Sequence, residues 1–83
     1  MGEKSRKFAE MLMDMGQALG NYPDEITVHV KSMATATVHF TVTCNTDDVK
    51  WLVGKNGRTA EAIRTILHSV GVKNDCKTYL KIN

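Results

Sequence analysis

The sequence predicts an α+β fold, a three-stranded mixed sheet covered on one face by three helices, in the order helix, strand, strand, helix, helix, strand. Three observations carry that prediction. Segments near 25–31, 35–43 and 77–82 alternate apolar and polar residues as half-buried strands do, so each needs a cover on one face only. Segments near 4–19, 46–53 and 58–70 repeat apolar residues at helical spacing. The link between the first two strands is too short for anything but an antiparallel hairpin, whereas two helices separate the second strand from the third, enough for a parallel return.

The first helix is amphipathic. Phe8, Met11, Leu12, Met15 and Leu19 share one side, and Lys4, Lys7, Glu10, Asp14 and Gln17 the other. Methionines in such a stripe read as core filler, because the flexible thioether fits irregular gaps. Gly20 supplies a stop, and Asn21-Tyr22-Pro23-Asp24 has turn chemistry. In the first strand Ile26, Val28 and Val30 face inward and Thr27, His29 and Lys31 outward. After the connection Ser32-Met33-Ala34, the second strand turns Ala36, Val38, Phe40 and Val42 one way and Thr35, Thr37, His39, Thr41 and Thr43 the other.

Asn45 or Thr46 caps the second helix, with Asp47 and Asp48 in its first turn, where carboxylates suit the positive end of the helix dipole. Val49, Leu52 and Val53 form its inner edge. The third helix carries a stripe of Ala60, Ile63, Ile66, Leu67 and Val70, with Gly71 expected to end it. The last strand turns Thr78, Leu80 and Ile82 inward and Lys77, Tyr79 and Lys81 outward.

Eighty-three residues, 42% hydrophobic and 24% charged, fit one compact domain over 1–83, near the lower size limit for a single core. No apolar run approaches the length that crosses a bilayer, and 1–20 carries charges where a signal peptide would be apolar. A cytoplasmic location without membrane association is expected. The net charge of +2 falls short of a domain that binds nucleic acid through bulk charge, so any such function needs a local patch. Cys44 and Cys76 fall at opposite ends of adjacent strands, about 20 Å apart at ~3.3 Å per residue, too far for a disulfide. Neither has a ligand partner at zinc spacing, and His29, His39 and His68 are scattered, so no metal or cofactor is expected. With no nucleophile–base pair and no carboxylates facing a pocket, no catalytic residue is assigned.

The most informative stretch is Gly54-Lys55-Asn56-Gly57-Arg58, between the second and third helices. Glycines at both ends let the backbone approach a ligand and take positive φ. Gly57 then opens a helix whose first amides lack intrahelical partners and suit an anion, while Lys55 and Arg58 add cations. A nucleoside-triphosphate loop is excluded by the missing Gly-Lys-Ser/Thr, and a dinucleotide turn by the preceding helix where a strand belongs. A plain helical corner with solvated charges is what the glycine spacing alone also allows.

With the order of elements added, the chain resembles a type II KH domain over essentially its whole length. Asp48-Val49-Lys50-Trp51-Leu52-Val53-Gly54-Lys55-Asn56-Gly57-Arg58-Thr59-Ala60-Glu61-Ala62-Ile63-Arg64, together with Tyr22-Pro23-Asp24-Glu25-Ile26-Thr27-Val28, is similar to the small stand-alone bacterial KH proteins of the KhpA type. The resemblance implies a module that clamps about four nucleotides of single-stranded RNA on the Gly-x-x-Gly loop, acting as an RNA chaperone or post-transcriptional regulator. It implies Gly54, Lys55, Asn56 and Gly57 as the clamp, Arg58 as its flanking cation, and Val53 as an apolar floor under a base. Ile63 would support that floor from the third helix, though core packing accounts for it better.

The sequence departs from that pattern upstream of the loop. Lys50 stands where these proteins usually have glycine, Trp51 where a polar or small residue is commoner, and Val53 where isoleucine is usual. Trp51 suits stacking on a base, covering a neighbouring apolar surface, or a dimer contact. Arg64, two turns from the loop, suits a phosphate or an ion pair with Glu61 or Asp75. A clamp this short implies modest affinity, which a homodimer or a second KH-containing RNA-binding protein would raise through effective concentration. The competing reading is a dimerisation or docking module in which RNA contact is incidental.

Overall fold

The computed structural model describes residues 3–34 and 36–83, with side chains from 6–31 and 36–83. Its elements are α1 (Glu3–Leu19), β1 (Thr27–Ala34), β2 (Thr37–Thr43), α2 (Val49–Val53), α3 (Arg58–Lys73) and β3 (Lys77–Ile82). Short 3₁₀ turns at Pro23–Glu25, Thr46–Asp48 and Lys55–Gly57 join them. The sheet order is β1-β2-β3, with β1 antiparallel and β3 parallel to β2. The order and strand directions are those the sequence predicts, and they are consistent with a type II KH fold.

The core lies between the inner face of the sheet and the helices. Phe8 and Leu12 of α1, Val38, Phe40 and Val42 of β2, Leu52 of α2, and Ala60, Ile63 and Leu67 of α3 are all buried. Phe8 meets Phe40 edge to face, with ring centroids 5.8 Å apart, an arrangement favoured by the ring quadrupoles. Burying side chains of this size contributes about 1.5–3 kcal/mol each. Ile63 belongs to this core. Met11, Met13 and Met15 pack against it partly buried, and Met13 is one the helical stripe did not include.

Several boundaries differ from the sequence reading. Glu25, expected in β1, sits in the turn begun by Pro23: its N–H donates to the Tyr22 carbonyl at 3.0 Å, and β1 starts at Thr27. At its other end β1 continues through Ser32, Met33 and Ala34, which the sequence assigned to the connection. A register shift between Ser32 and Ala34 lets the ladder continue to the Ala34–Thr37 pair although the alternation has broken down. Lys4 and Thr35, assigned to polar faces, lie outside the described side chains and residues.

Gly71 does not end α3. The helix runs on to Lys73, and a Cβ on Gly71 would lie 2.6 Å from the Cys76 carbonyl oxygen, so this glycine serves close packing against the start of β3. Termination falls to Asp75, whose φ of 56° is left-handed. The Cys76 N–H donates to the Gly71 carbonyl at 2.8 Å and the Asp75 N–H to the Val72 carbonyl at 3.2 Å, the paired bonds of a Schellman ending. Ile66, read as part of the buried stripe, is 44% exposed, because the buried line runs Ala60, Ile63, Leu67 and Gly71.

Asp48 is fully buried, although the sequence placed it only in a helix's first turn. Its carboxylate accepts the Asn21 N–H at 2.8 Å and the Tyr22 N–H at 2.9 Å, tying the end of α1 to the start of α2. A Cβ on Gly20 would fall 2.6 Å from Asp48 Oδ2, so the residue that follows α1 also makes room for this carboxylate. Asn45 is the cap of the following turn, its Oδ1 accepting the Asp47 N–H at 2.8 Å. Burial, and secondarily the Asp48 charge, push the Cys44 thiol above its ordinary pKa.

Candidate nucleic-acid interface

The loop between α2 and α3 has three successive departures from ordinary helical backbone. Gly54 adopts φ 80°, ψ 172°, a region essentially closed to residues with a Cβ. Asn56 (φ 56°, ψ 26°) and Gly57 (φ 74°, ψ 12°) are left-handed. Asparagine tolerates that region, which suits Asn56 ahead of Gly57. The turn is closed by the Gly57 N–H donating to the Gly54 carbonyl at 3.1 Å.

The two glycines have different jobs. A Cβ on Gly54 would lie 2.2 Å from Thr59 Oγ1 and 2.9 Å from the Thr59 nitrogen, so this glycine lets the loop fold back on the first turn of α3. A Cβ on Gly57 would meet nothing within 4 Å. Its side of the loop is open, and the backbone there can be approached directly. Gly57 is also the N-cap of α3 and supplies no capping side chain, while the Arg58 N–H that opens the helix donates to the Lys55 carbonyl. The flanking Lys55, Asn56 and Arg58 are all exposed.

On the α2 side, Lys50, Trp51, Val53, Gly54 and Lys55 line one open, mainly apolar groove of about 900 Å³. Trp51 is 49% exposed, and Lys50 Nζ sits 5.4 Å from the centre of its ring, a cation–π contact. Leu19, Thr46, Val49 and Thr59 complete the groove. Sequence periodicity assigned Leu19 and Val49 to the core. Leu19 is instead 37% exposed and Val49 half-buried, since α1 ends and α2 begins at this surface and neither residue is covered from outside.

Arg64 stands apart from this cluster. Its guanidinium pairs with Glu61 at 3.1 Å and reaches the Leu80 carbonyl at 3.5 Å, between α3 and β3. Of the two acidic partners the sequence suggested, Glu61 is the one it meets. The structure therefore gathers Lys50, Trp51, Val53, Gly54 and Lys55 in one groove, sets Asn56, Gly57 and Arg58 on and beside the open loop, and leaves Arg64 about two turns along α3. Among the described residues no helix is long and apolar enough to cross a membrane, and no group of three or more His, Cys, Asp or Glu side chains could hold a metal.

Comparison with known proteins identifies the family to which this fold belongs. The model of the KhpA/KhpB KH domain matches residues 9–82. The RNA-binding protein KhpA of Listeria monocytogenes is 30% identical over 73 residues, covering 88% of this chain and 95% of the relative. That of Oceanobacillus iheyensis is 37% identical over 65 residues, covering 78% and 85%, and that of Chlamydia caviae 41% identical over 61 residues, covering 72% and 76%. No solved structure matches the chain. A left-handed Gly-x-x-Gly turn joining the two helices of a helix-covered mixed sheet, with a family match over nearly the whole length, leads to one assignment: the chain belongs to the KhpA/KhpB KH-domain family.

Proposed function

We propose that the chain binds single-stranded RNA by laying its sugar-phosphate backbone against the open side of Gly57 at the start of α3, with Lys55 and Arg58 neutralising the phosphates beside it. The observation that carries this reading is the empty space over Gly57, which combines left-handed backbone, an uncapped helix start and exposed cations. The relatives' description as RNA-binding proteins supports it. Gly54 and Asn56 hold the turn. Val53 and Trp51 offer an apolar edge to a base, Lys50 a cation beside it, and Arg64 a further cation once Glu61 is displaced. The role is that of a small cytoplasmic RNA chaperone or post-transcriptional regulator, non-catalytic, acting as a homodimer or with a second KH protein.

Lys55→Asp with Asn56→Asp puts two carboxylates where phosphate should lie while keeping a residue that tolerates left-handed φ at position 56. The double variant is expected to stay folded, keep its oligomeric state and lose binding to short single-stranded RNA by at least about tenfold in fluorescence anisotropy. For the unmodified chain, neutralising two or three phosphates predicts a log–log salt slope of about −1.4 to −2.1. Unchanged RNA affinity in the double variant would reject the clamp and favour a docking module, for which the exposed Trp51 groove is the natural surface.

Trp51→Ala gives a narrower test. Loss of one stacked base is expected to weaken RNA binding by about 5- to 150-fold, equivalent to ~1–3 kcal/mol, with little change in thermal stability. A drop in self-association at constant RNA affinity would instead assign the indole to a protein contact.

A further inference from the structure

We infer that the open face of the sheet is a second RNA subsite, in which a base stacks on Tyr79 and the phosphates beside it meet Lys77 and Lys81. This inference rests on the RNA-binding reading above, and its own contacts, Tyr79, Lys77 and Lys81, lie outside the clamp. The outward positions of the three strands carry Thr27, His29 and Lys31 on β1, Thr37, His39, Thr41 and Thr43 on β2, and Lys77, Tyr79 and Lys81 on β3. The strands contain no aspartate or glutamate. A face with three lysines, two histidines, a tyrosine and no carboxylate complements a polyanion.

The rings are arranged to receive a base. His39 and Tyr79 are register partners on neighbouring parallel strands, and their rings stack with centroids 4.7 Å apart and planes 18° apart. His39 therefore covers the face of Tyr79 that looks toward β2. β3 is the edge strand, so the other face of Tyr79 looks toward the open side, and the residue is 51% exposed. A base placed there continues a stack already two rings deep, at little ordering cost because His39 already holds the tyrosine. Lys77 and Lys81 flank Tyr79 on the same face, each about 7 Å away along the strand, and Lys31 lies beyond His39 in the same row. Cations set among aromatic rings on a sheet are what RRM-type modules use to stack about two or three bases.

An RNA strand leaving the clamp on the helical side reaches Tyr79 around the edge of β3. Tyr79 lines the shallow groove between α3 and β3 with Arg64, and the Arg64 guanidinium is level with Leu80, the next residue of the strand. From Arg58 to Arg64 is about 9 Å along α3. An oligonucleotide longer than the clamp's ~4 nucleotides reaches β3 over Arg64 and turns its next base onto Tyr79.

The test compares a tetranucleotide and a decanucleotide of oligouridylate. Tyr79→Ala is expected to weaken the decanucleotide about tenfold and leave the tetranucleotide unchanged, while Tyr79→Phe, which keeps the ring, restores decanucleotide binding. Lys77→Glu with Lys81→Glu is expected to weaken the decanucleotide alone, whereas Lys55→Asp with Asn56→Asp weakens both. Decanucleotide affinity unchanged in Tyr79→Ala overturns the subsite even if the clamp stands. A clamp variant that keeps tetranucleotide affinity overturns the clamp, and a length-dependent Tyr79→Ala defect still upholds the subsite. If the Tyr79 and lysine variants alter only self-association or binding to anionic phosphatidylserine vesicles, the face belongs to another partner and the inference fails.

Discussion

Gly54→Ala is expected to destabilise the fold by about 2–6 kcal/mol, combining ~1–3 of backbone strain with ~1–3 of overpacking against Thr59. The added Cβ would fall 2.2 Å from Thr59 Oγ1 at a φ of 80°. Gly57→Ala, with φ 74° but nothing within 4 Å of its Cβ, is expected to cost only about 1–2 kcal/mol, the left-handed penalty alone. Urea titration of the two variants checks the difference. Thr59→Ala in the Gly54→Ala background removes the Oγ1 contact and should recover part of the steric loss but none of the φ penalty, and the double-mutant cycle separates them. Equal losses at the two glycines would mean that Thr59 yields easily and that the closeness of the loop to α3 matters little. For function the order reverses: Gly57→Ala occupies the open approach to the backbone and should weaken RNA binding even where the fold survives.

Asp48→Ala is expected to be comparably costly, about 3–6 kcal/mol, because it removes two part-buried hydrogen bonds from the Asn21 and Tyr22 amides to a charged acceptor, each worth ~1.5–3 kcal/mol. Asp48→Asn retains one carbonyl oxygen and should lose roughly half as much. Gly20→Ala should mimic part of the effect by driving a Cβ against the carboxylate. Thermal melts and amide exchange at Asn21 and Tyr22 check this, with exchange accelerating at both sites in Asp48→Ala. A change confined to one of these amides would show that the carboxylate holds α1 by a single bond. For a chain of this size, whose whole stability is expected within about 5–15 kcal/mol, either substitution removes a large fraction of it.

These two positions show where the sequence was legible. The Gly54–Gly57 pair stood out because its spacing, flanking cations and place between two helical patterns are all local properties. Strand alternation in Ile26–Val30, Val38–Val42 and Thr78–Ile82 likewise placed the sheet's inner and outer faces correctly, since a period of two leaves little ambiguity. The role of Asp48 was hidden, because its partners are 26 and 27 residues away in sequence and a carboxylate in a helix's first turn has a sufficient local explanation. Gly71 misled for a similar reason: a glycine near the end of an apolar stripe reads as a stop, while its actual constraint is the Cys76 carbonyl on the next element.

The same division holds at the site. Lys55, Asn56 and Arg58 could be named as candidates from the loop alone. That Trp51 shares a groove with Leu19 and Val49, that Arg64 spends its charge on Glu61, and that Tyr79 rests against His39 depend on which elements meet. By itself the sequence determined the order and periodicity of the elements, the identity of the loop and the charge around it, all consequences of backbone preferences and side-chain alternation over short distances. Only the tertiary structure decided which glycine is sterically locked and which is open, and which rings and charges face one another, because those depend on atoms brought together from elements far apart in the chain.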